Sequence, residues 1–296
     1  MKFKKTIAGL ALAAVIALGC YASQQKDVLK FSGSPTVATL EDYVTIATWN
    51  IQTFGQSKLN KSDVMEYIAR AILENKVDVL AIQEIRSKEQ NVMPALVDLL
   101  NKSGAKYDFV ISRRLGRTSS MEQYAFLYNT QNITYINDSA YIISDSTDQI
   151  HREPLVANFK ANNGTFDFTL INIHTDPDET EKELNFLDNV YVSVQKSDTD
   201  ENDVIILGDF NQQGSRMGEL GKVPGMIILL ADLAVKTNTR NTMQYDNIMF
   251  DDNTKEYLGW YNVFNYQQAF GITLEKALEI SDHRPVIARF SKEGND

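Results

Sequence analysis

Two histidines of this 296-residue sequence stand beside acidic residues at the ends of apolar segments. His174 follows the segment at 168–173, and His283 lies directly after Asp282 and just before the segment at 285–290. A carboxylate partner raises the basicity of a histidine and fixes its tautomer. Two such pairs would supply a general base and a general acid for phosphoryl transfer. The third histidine, His151, lies in a predicted polar turn, and no role is assigned to it.

Other oxygen-bearing side chains also adjoin strand-like segments. In open α/β sheets, ligands bind outside the carboxyl ends of the strands. If the strands that begin near Asp246 and Asp282 run antiparallel to the others, their starts reach that same edge. The pattern then predicts one rim that carries eight polar side chains: Asn50, Glu84, His174, Asp209, Asn211, Asp246, Asp282 and His283.

This predicted rim is rich in oxygen donors and contains no cysteine. Such a set suits the hard cations Mg²⁺, Mn²⁺ or Ca²⁺, whereas zinc usually takes histidine and cysteine. In an extended segment, residues i and i+2 point the same way. We therefore expect Asp209 and Asn211 to face the site while Phe210 packs inward.

Apolar, strand-like segments alternate with amphipathic ones along the chain, without an internal repeat. Many strands and few helices predict two sheets packed face to face, with helices outside. The predicted strands are 44–49, 77–82, 109–112, 124–128, 134–143, 155–159, 166–173, 204–207, 248–250 and 285–290. The predicted helices are 62–71 with Ser62 as N-cap, 94–100, 179–194 and 274–278.

The N-terminus has the layout of a bacterial export signal, with three lysines followed by an uncharged stretch that ends at Gly19. That stretch is shorter than the about 20 residues of a membrane span. Two processing routes stay open: lipidation of Cys20, which would anchor the protein, or cleavage after Ala22, which would release it. An uncleaved buried helix is a third alternative. We predict an export signal at 1–22, a linker at 23–42, one domain at 43–291 and a polar tail at 292–296.

Charge and cysteine content exclude some classes of protein. The sequence has 29 Lys and Arg against 39 Asp and Glu, a net charge of −10. This balance argues against a protein that coats nucleic acid by bulk charge, but not against an enzyme that holds its substrate locally. The single cysteine excludes an internal disulfide framework and a cysteine-rich zinc site.

Eight motifs together resemble the endonuclease/exonuclease/phosphatase superfamily, and within it the deoxyribonuclease I branch, over roughly 43–291. They are TWNIQTFG (48–55), VLAIQEIRSKE (79–89), LGRTSSMEQYAFLY (115–128), HREPLVANF (151–159), INIHTDP (171–177), ILGDFNQ (206–212), QYDNIMF (244–250) and ISDHRPV (280–286). The resemblance implies an α/β fold in four layers, with two mainly antiparallel β-sheets packed together and flanked by helices. It also implies a monomer.

The resemblance implies roles for individual residues. The positions that coordinate or position the metal and the scissile phosphate are Asn50, Glu84, Asp209, Asn211 and Asp282. The catalytic histidine pair is His174 and His283, oriented by Glu122 and Asp246 respectively. The arginines that contact the DNA substrate are Arg86, Arg117 and Arg152.

The implied reaction is hydrolysis of a DNA phosphodiester bond by in-line attack of water, with low sequence specificity. Mg²⁺ is the expected cofactor, with Mn²⁺ as an alternative and Ca²⁺ as a candidate co-activator. One histidine–acid pair activates the water and the other assists the leaving 3′ oxygen. Which histidine is the acid and which is the base stays open.

Four features depart from the family pattern. The family's disulfides cannot form, and the segment 144–152 is shorter than the family's cysteine-bearing loop. The segment 231–241 corresponds to a calcium loop, but Val235 stands where the family has a liganding acid. Before Glu122 the family has an aromatic residue that stacks into the minor groove, where this chain has serine and methionine. Arg113 and Arg114, just upstream, are alternative DNA contacts.

Two further hypotheses remain. The same chemistry would serve a phospholipid, as in a sphingomyelinase, or a small phosphate ester, and a lipid substrate predicts an exposed apolar loop for membrane contact. A non-catalytic binding protein on this scaffold is the third hypothesis. The complete set of histidines, carboxylates and asparagines speaks against it.

Overall fold

The computed structural model describes residues 42–197 and 203–294. The predicted export signal, the candidate lipidation site Cys20 and the linker up to residue 41 lie outside the described residues. So do the last two residues of the predicted tail. Within the described ranges, no helix is both long enough and apolar enough to cross a membrane.

The apolar segments form strands, which are named here in chain order. They are β1 (Tyr43–Phe54), β2 (Val79–Ile85), β3 (Tyr107–Ile111), β4 (Gln123–Asn129), β5 (Ile133–Tyr135), β6 (Tyr141–Ile142), β7 (Leu155–Ala161), β8 (Asp167–His174), β9 (Val204–Asp209), β10 (Ile227–Ile228), β11 (Asp246–Phe250), β12 (Tyr257–Val263) and β13 (Val286–Ser291). The α-helices are α1 (Gln56–Leu59), α2 (Ser62–Glu74), α3 (Val92–Lys102), α4 (Thr180–Ser197), α5 (Tyr266–Ala269) and α6 (Leu274–Ile280). Two short 3₁₀ turns cover Gly214–Arg216 and Leu220–Lys222.

The strands form two sheets. The first has the order β12-β13-β1-β2-β4-β3, and the second has the order β10-β11-β9-β8-β7-β5, with β6 beside β7. Only the pairs β1–β2 and β8–β9 are parallel among the described strands. Strand β13 is antiparallel to β1, and β11 is antiparallel to β9. The start of β11 therefore lies beside the end of β9, and the start of β13 pairs with Thr48 of β1. These are the strand directions that the predicted rim requires.

The layers follow from which faces are apolar. Between the sheets lies a core of aromatic and branched side chains, with Phe126 from one sheet against Phe159 from the other. The outer face of the first sheet packs against α2, α3 and α6. The outer face of the second packs against α4 through one side of that helix, which carries Leu184, Leu187, Val190 and Val194. The predicted four-layer α/β fold with two mainly antiparallel sheets is confirmed.

A buried pair of amide side chains joins the two sheets. Gln83 of β2 donates from Nε2 to Oδ1 of Asn172 in β8, at 2.7 Å. Nδ2 of Asn172 donates to the backbone oxygens of Ile82 and Ala125 at 3.2 and 3.1 Å. Both side chains are fully buried. Because unsatisfied buried amides are costly, these bonds favour one alignment of the sheets.

Three predictions about elements were wrong or incomplete. The segment 134–143 is not one strand, because the chain turns after Tyr135, with Asp138 at φ 60°, and returns as β6. Ser62 is the first residue of α2 rather than its cap. The N-cap is Lys61, without a side-chain hydrogen bond. The edge strand β12 was missed because it is only partly buried and its polarity does not alternate cleanly.

Candidate active site

His174 and Glu122 form a buried pair at the end of β8. His174 Nδ1 lies 2.6 Å from Oε1 of Glu122, and both side chains are almost fully buried. Burial alone lowers the pKa of His174, but the charge and the hydrogen bond of Glu122 outweigh it, so that the pKa is raised. The phenol oxygen of Tyr124 accepts the backbone N–H of His174 at 2.9 Å. These contacts direct Nε2 of the histidine into the site.

His283 and Asp246 form a second pair of the same kind. His283 Nδ1 lies 2.9 Å from Oδ2 of Asp246. Burial opposes the charged histidine, yet Asp246 and then Asp209 raise the pKa of His283 to about 10. The backbone is held on both sides: Trp49 Nε1 donates to the His283 carbonyl at 2.9 Å, and Ser281 Oγ accepts its N–H at 3.0 Å.

The two histidines converge on one carboxylate. Oδ2 of Asp209 lies 3.6 Å from Nε2 of His174 and 3.6 Å from Nε2 of His283. It also accepts Nδ2 of Asn50 at 3.0 Å. Burial raises the pKa of Asp209, but His283 and His174 outweigh burial and hold it below its usual value. Two imidazoles, each fixed through Nδ1, thus present their Nε2 atoms to one small volume.

Glu84, Asn50 and Asp282 lie beside this volume. Glu84 accepts Nδ2 of Asn50 at 3.1 Å and the backbone N–H of Thr53 at 2.7 Å. Asn50 and Glu84 lie inside β1 and β2 rather than past their ends, at the point where the pairing register shifts. Oδ1 of Asp282 is buried without a hydrogen-bond partner and lies 3.7 Å from Nε2 of His283. Burial raises the pKa of Asp282, and the nearby charges of Glu84 and Asp209 raise it further, against His283.

These donors fit a hard divalent cation. Glu84 and Asp209 lie close enough to Asp282 for their charges to raise the pKa of its carboxyl, and one buried oxygen of Asp282 has no hydrogen-bond partner. Carboxylate and amide oxygens are the ligands that Mg²⁺ and Ca²⁺ prefer. Within the described residues, three acidic or histidine side chains have ligand atoms close enough to share one ion: Asp209, Asp246 and His283. Asp246 and His283 of this group are already hydrogen-bonded to each other, whereas Glu84 and Asp282 lie outside it.

Asn211 lies at the rim, but its backbone conformation differs from the one that the sequence predicted. Its backbone is not extended but left-handed, with φ 46°, a conformation that asparagine tolerates better than most residues. Its N–H donates to Oδ1 of Asp209 at 2.9 Å, and its Nδ2 donates to the Thr175 carbonyl at 2.9 Å. Phe210 is fully buried, as predicted.

The three predicted DNA-contacting arginines are all paired with carboxylates. Arg86 Nη2 lies 3.1 Å from Glu84 and 3.5 Å from Glu122. Arg117 is paired with Asp148 and Glu179. Both side chains are about 30% exposed, so a phosphate can reach them.

Arg152 is placed differently, because its side chain is 7% exposed. Its guanidinium donates to the carbonyls of His174 and Thr175 at 3.0 and 2.9 Å and lies 3.6 Å from Glu122. Arg152 therefore stabilises the His174–Glu122 pair through the His174 carbonyl and the Glu122 carboxylate. This position argues against the direct phosphate contact expected from the sequence.

Several supporting residues were missed. Tyr266 Oη lies within hydrogen-bond distance of the Ser281 and His283 carbonyls and of Thr239 Oγ1. Thr237 Oγ1 accepts the N–H of Asp246 at 3.1 Å. Tyr266 contacts the backbone of His283, and Thr237 contacts its partner Asp246. Neither is adjacent to its partner in the sequence, so only the tertiary structure reveals them. His151, to which no role was assigned, is nearly buried, 3.5 Å from Asp176.

The segment 231–241, which corresponds to a calcium loop in the family resemblance, is held by a glutamine side chain. Nε2 of the buried Gln244 donates to the backbone carbonyls of Asp232 and Val235, both at 2.9 Å. Its Oε1 accepts the N–H of Gly214 at 2.7 Å. Two carbonyls of this loop thus bind a side-chain amide, and valine replaces the liganding acid. Gln244 thus ties this loop to the backbone at Gly214.

The raised pKa of His283 predicts how stability depends on pH when metal is removed by a chelator. A group whose pKa rises from 6.5 to about 10 on folding stabilises the fold fully below 6.5, and this contribution is lost as pH rises through 10. We expect the free energy of unfolding in urea to fall by a few kcal/mol between about pH 6 and pH 10. His283→Gln should flatten this decline, and an unchanged slope in the variant would contradict the assignment.

Comparison with known proteins gives consistent matches. The sequence profile of the endonuclease/exonuclease/phosphatase family matches residues 47–270. The chain is 31% identical to bovine (Bos taurus) deoxyribonuclease-1 over 256 residues, which cover 81% of this chain and 90% of the relative. It is 32% identical to human (Homo sapiens) deoxyribonuclease gamma over 258 residues, 81% of this chain and 84% of the relative.

A solved structure supports the same fold. The human Nocturnin catalytic domain with bound sulfate anion superposes with a TM-score of 0.61. The alignment covers 84% of this chain and 94% of that domain, at 16% sequence identity. At this identity the similarity concerns the fold alone.

Proposed function

We propose that this chain, which belongs to the endonuclease/exonuclease/phosphatase family, is a divalent-metal-dependent endonuclease that hydrolyses phosphodiester bonds of DNA. The observation that carries the proposal is the convergence of two histidine–acid pairs on Asp209, with both Nε2 atoms 3.6 Å from one oxygen. The similarity to deoxyribonuclease-1 and deoxyribonuclease gamma supports DNA as the substrate.

In the proposed reaction, the scissile phosphate occupies the volume between the two Nε2 atoms. One imidazole takes a proton from the attacking water at Nε2, and the other gives a proton from Nε2 to the leaving 3′ oxygen. Glu122 and Asp246 hold the imidazoles by Nδ1 and stabilise their charged forms. Because each histidine has a dedicated carboxylate, either one can hold or release a proton without turning its ring.

The proposed metal ligands are Glu84, Asp282 and Asp209, with Asn50 and Asn211 beside them. When bound, the cation neutralises charge that develops on the phosphoryl oxygens. Asn50 bridges Glu84 and Asp209 through Nδ2 and so fixes the spacing of two of the carboxylates. Mg²⁺ is the cation we propose. Oxygen ligands also suit Mn²⁺ and Ca²⁺, so the assay below compares the metals.

We propose further that the protein is exported, on the basis of the basic start and the uncharged segment of the first 22 residues. We expect low sequence specificity. The candidate DNA contacts are arginines that would meet phosphates, and phosphate contacts position a protein without reporting base identity.

Conversion of supercoiled plasmid to nicked circles tests the proposal. The purified protein is assayed with Mg²⁺, with Mg²⁺ plus Ca²⁺, with Mn²⁺, and with a chelator. We expect metal-dependent nicking that the chelator abolishes. A folded protein that nicks DNA in none of these metals, but hydrolyses sphingomyelin or a small phosphodiester, would overturn the DNA assignment and retain the chemistry.

A further inference from the structure

Arg117 lies on the hairpin that carries Glu122, the acid paired with His174. The backbones of Leu115 and Glu122 exchange two hydrogen bonds, of 2.7 and 3.0 Å. Gly116, between Leu115 and Arg117, lies against the side chains of His151 and Arg152. Arg117 is therefore only two residues beyond a backbone pair that contains a residue of the proposed catalytic site.

The guanidinium of Arg117 is engaged by acidic residues. Its Nε donates to Oδ1 of Asp148 at 2.7 Å, and its Nη2 donates to the Asp148 carbonyl at 2.6 Å. Its Nη1 donates to Oε2 of Glu179 at 3.2 Å. A planar guanidinium would offer the same N–H groups to a phosphate, two at a time. The acidic partners thus occupy the positions that phosphate oxygens would take.

Asp148 is held over Arg117 by its own loop. The carboxylate of Asp145 accepts the backbone N–H groups of Thr147, Gln149 and Ile150. Asp148 itself is left-handed, with φ 55°, and its side chain is 75% exposed. The Arg117–Asp148 ion pair is exposed to solvent, so a competing anion can displace it.

We propose that Asp148 lowers the affinity for DNA by occupying the Arg117 guanidinium as a backbone phosphate would, so that this phosphate contact is largely unmade in the wild-type complex. This inference rests on the proposed DNA-cleaving function. Arg117 then contributes a full phosphate contact only after Asp148 has been released. Glu179 is a weaker competitor, because it shares its charge with Lys182 at 3.3 Å.

The variant Asp148→Asn tests the proposal, since asparagine tolerates the left-handed backbone and lacks the charge. Its matched control is Asp167→Asn. That change also removes one negative charge and frees one cation, Lys160, which lies 3.5 Å from Asp167. Asp167 begins β8, whereas His174 ends it, so the control lies at the far end of the strand.

Two measurements are made on each variant. The first is the anisotropy of a labelled DNA duplex in chelator, where no cleavage is needed, and the second is KM and kcat for plasmid nicking in Mg²⁺. For Asp148→Asn we expect Kd and KM to fall about three- to tenfold at low salt, with kcat unchanged. The salt slope should steepen by about 0.9, the increment for one further phosphate contact. Asp167→Asn should change neither Kd nor the slope by a comparable amount.

Arg117→Ala completes the set. In the wild-type background it should weaken DNA binding little, and in the Asp148→Asn background it should remove the whole gain.

Equal gains from Asp148→Asn and Asp167→Asn would overturn the proposal in favour of a bulk charge effect. Weaker binding by a folded Asp148→Asn variant, with folding checked by circular dichroism, would show that the contact serves only to hold the loop. Wild-type protein that nicks no plasmid would refute the proposed function, while the anisotropy series would still decide the role of Asp148.

Discussion

Replacing His174 or His283 with glutamine is expected to lower kcat for DNA nicking by about 10²–10⁴, the usual contribution of a positioned general acid or base. Each variant leaves one histidine–acid pair intact but removes proton transfer at one end of the reacting bond. We expect KM to change little, because neither imidazole is placed on the surface that would hold the flanking DNA. Combining the two changes should cost less than the product of their separate effects, since groups that act as one unit are not additive.

The third histidine supplies the control for these variants. His151 is nearly buried and has an acidic neighbour, Asp176, 3.5 Å away, so His151→Gln makes the same chemical change in a comparable environment. We expect it to retain kcat within a few-fold. Full activity in either His174→Gln or His283→Gln, measured on protein free of wild-type enzyme, would refute the proposed mechanism. A comparable loss in His151→Gln would show that the assay reports damage to the fold.

Replacing Glu84 with glutamine is expected to raise the Mg²⁺ concentration for half-maximal nicking by about tenfold or more, because cation affinity depends on the number of charged ligands. The loss should be partly recovered at high Mg²⁺. Glu84 also anchors Asn50 and the N–H of Thr53, so we expect a residual defect in kcat at saturating metal. A Mg²⁺ titration of nicking, with kcat taken at each concentration, separates the two effects.

Asp282→Asn and Glu219→Gln complete the metal experiment. Asp282 holds a buried oxygen without a hydrogen-bond partner, so its loss should shift the Mg²⁺ requirement in the same direction as the loss of Glu84. Glu219 is exposed and paired with Lys222, and the same charge change there should leave the titration unaltered. A Glu84→Gln variant with the wild-type Mg²⁺ requirement would place the cation elsewhere.

The sequence was sufficient to predict the two sheets and the rim, because strands buried on both faces appear as apolar runs and the polar residues stand where those runs end. Asp246 and His283 were placed at the same edge on the condition that their strands run antiparallel to the others, and β11 and β13 meet that condition. Side-chain orientation was less accessible. The expectation that Asn211 would follow the alternation of an extended chain failed, because the residue adopts a left-handed backbone.

Burial of charged residues was the other limit. Arg152 looks like a surface cation in the sequence, yet the structure places it beneath His174 with carbonyl and carboxylate partners. The position of Arg152 depends on how the ends of β7 and β8 pack against the hairpin that carries Glu122. No local sequence pattern encodes this packing. The pairing of Arg117 with Asp148 has the same origin, because 31 residues separate the two in the chain.

The tether formed by Gln244 bears on the conditions under which the protein can keep its shape. An ion bound to a loop equilibrates with the medium, so its occupancy follows the free ion concentration and falls when another chelator competes. A side-chain amide belongs to the chain itself, so it is always present beside the loop that it binds. The Gln244 contacts to the loop at 231–241, which includes Thr237 beside Asp246, are thus independent of the calcium concentration.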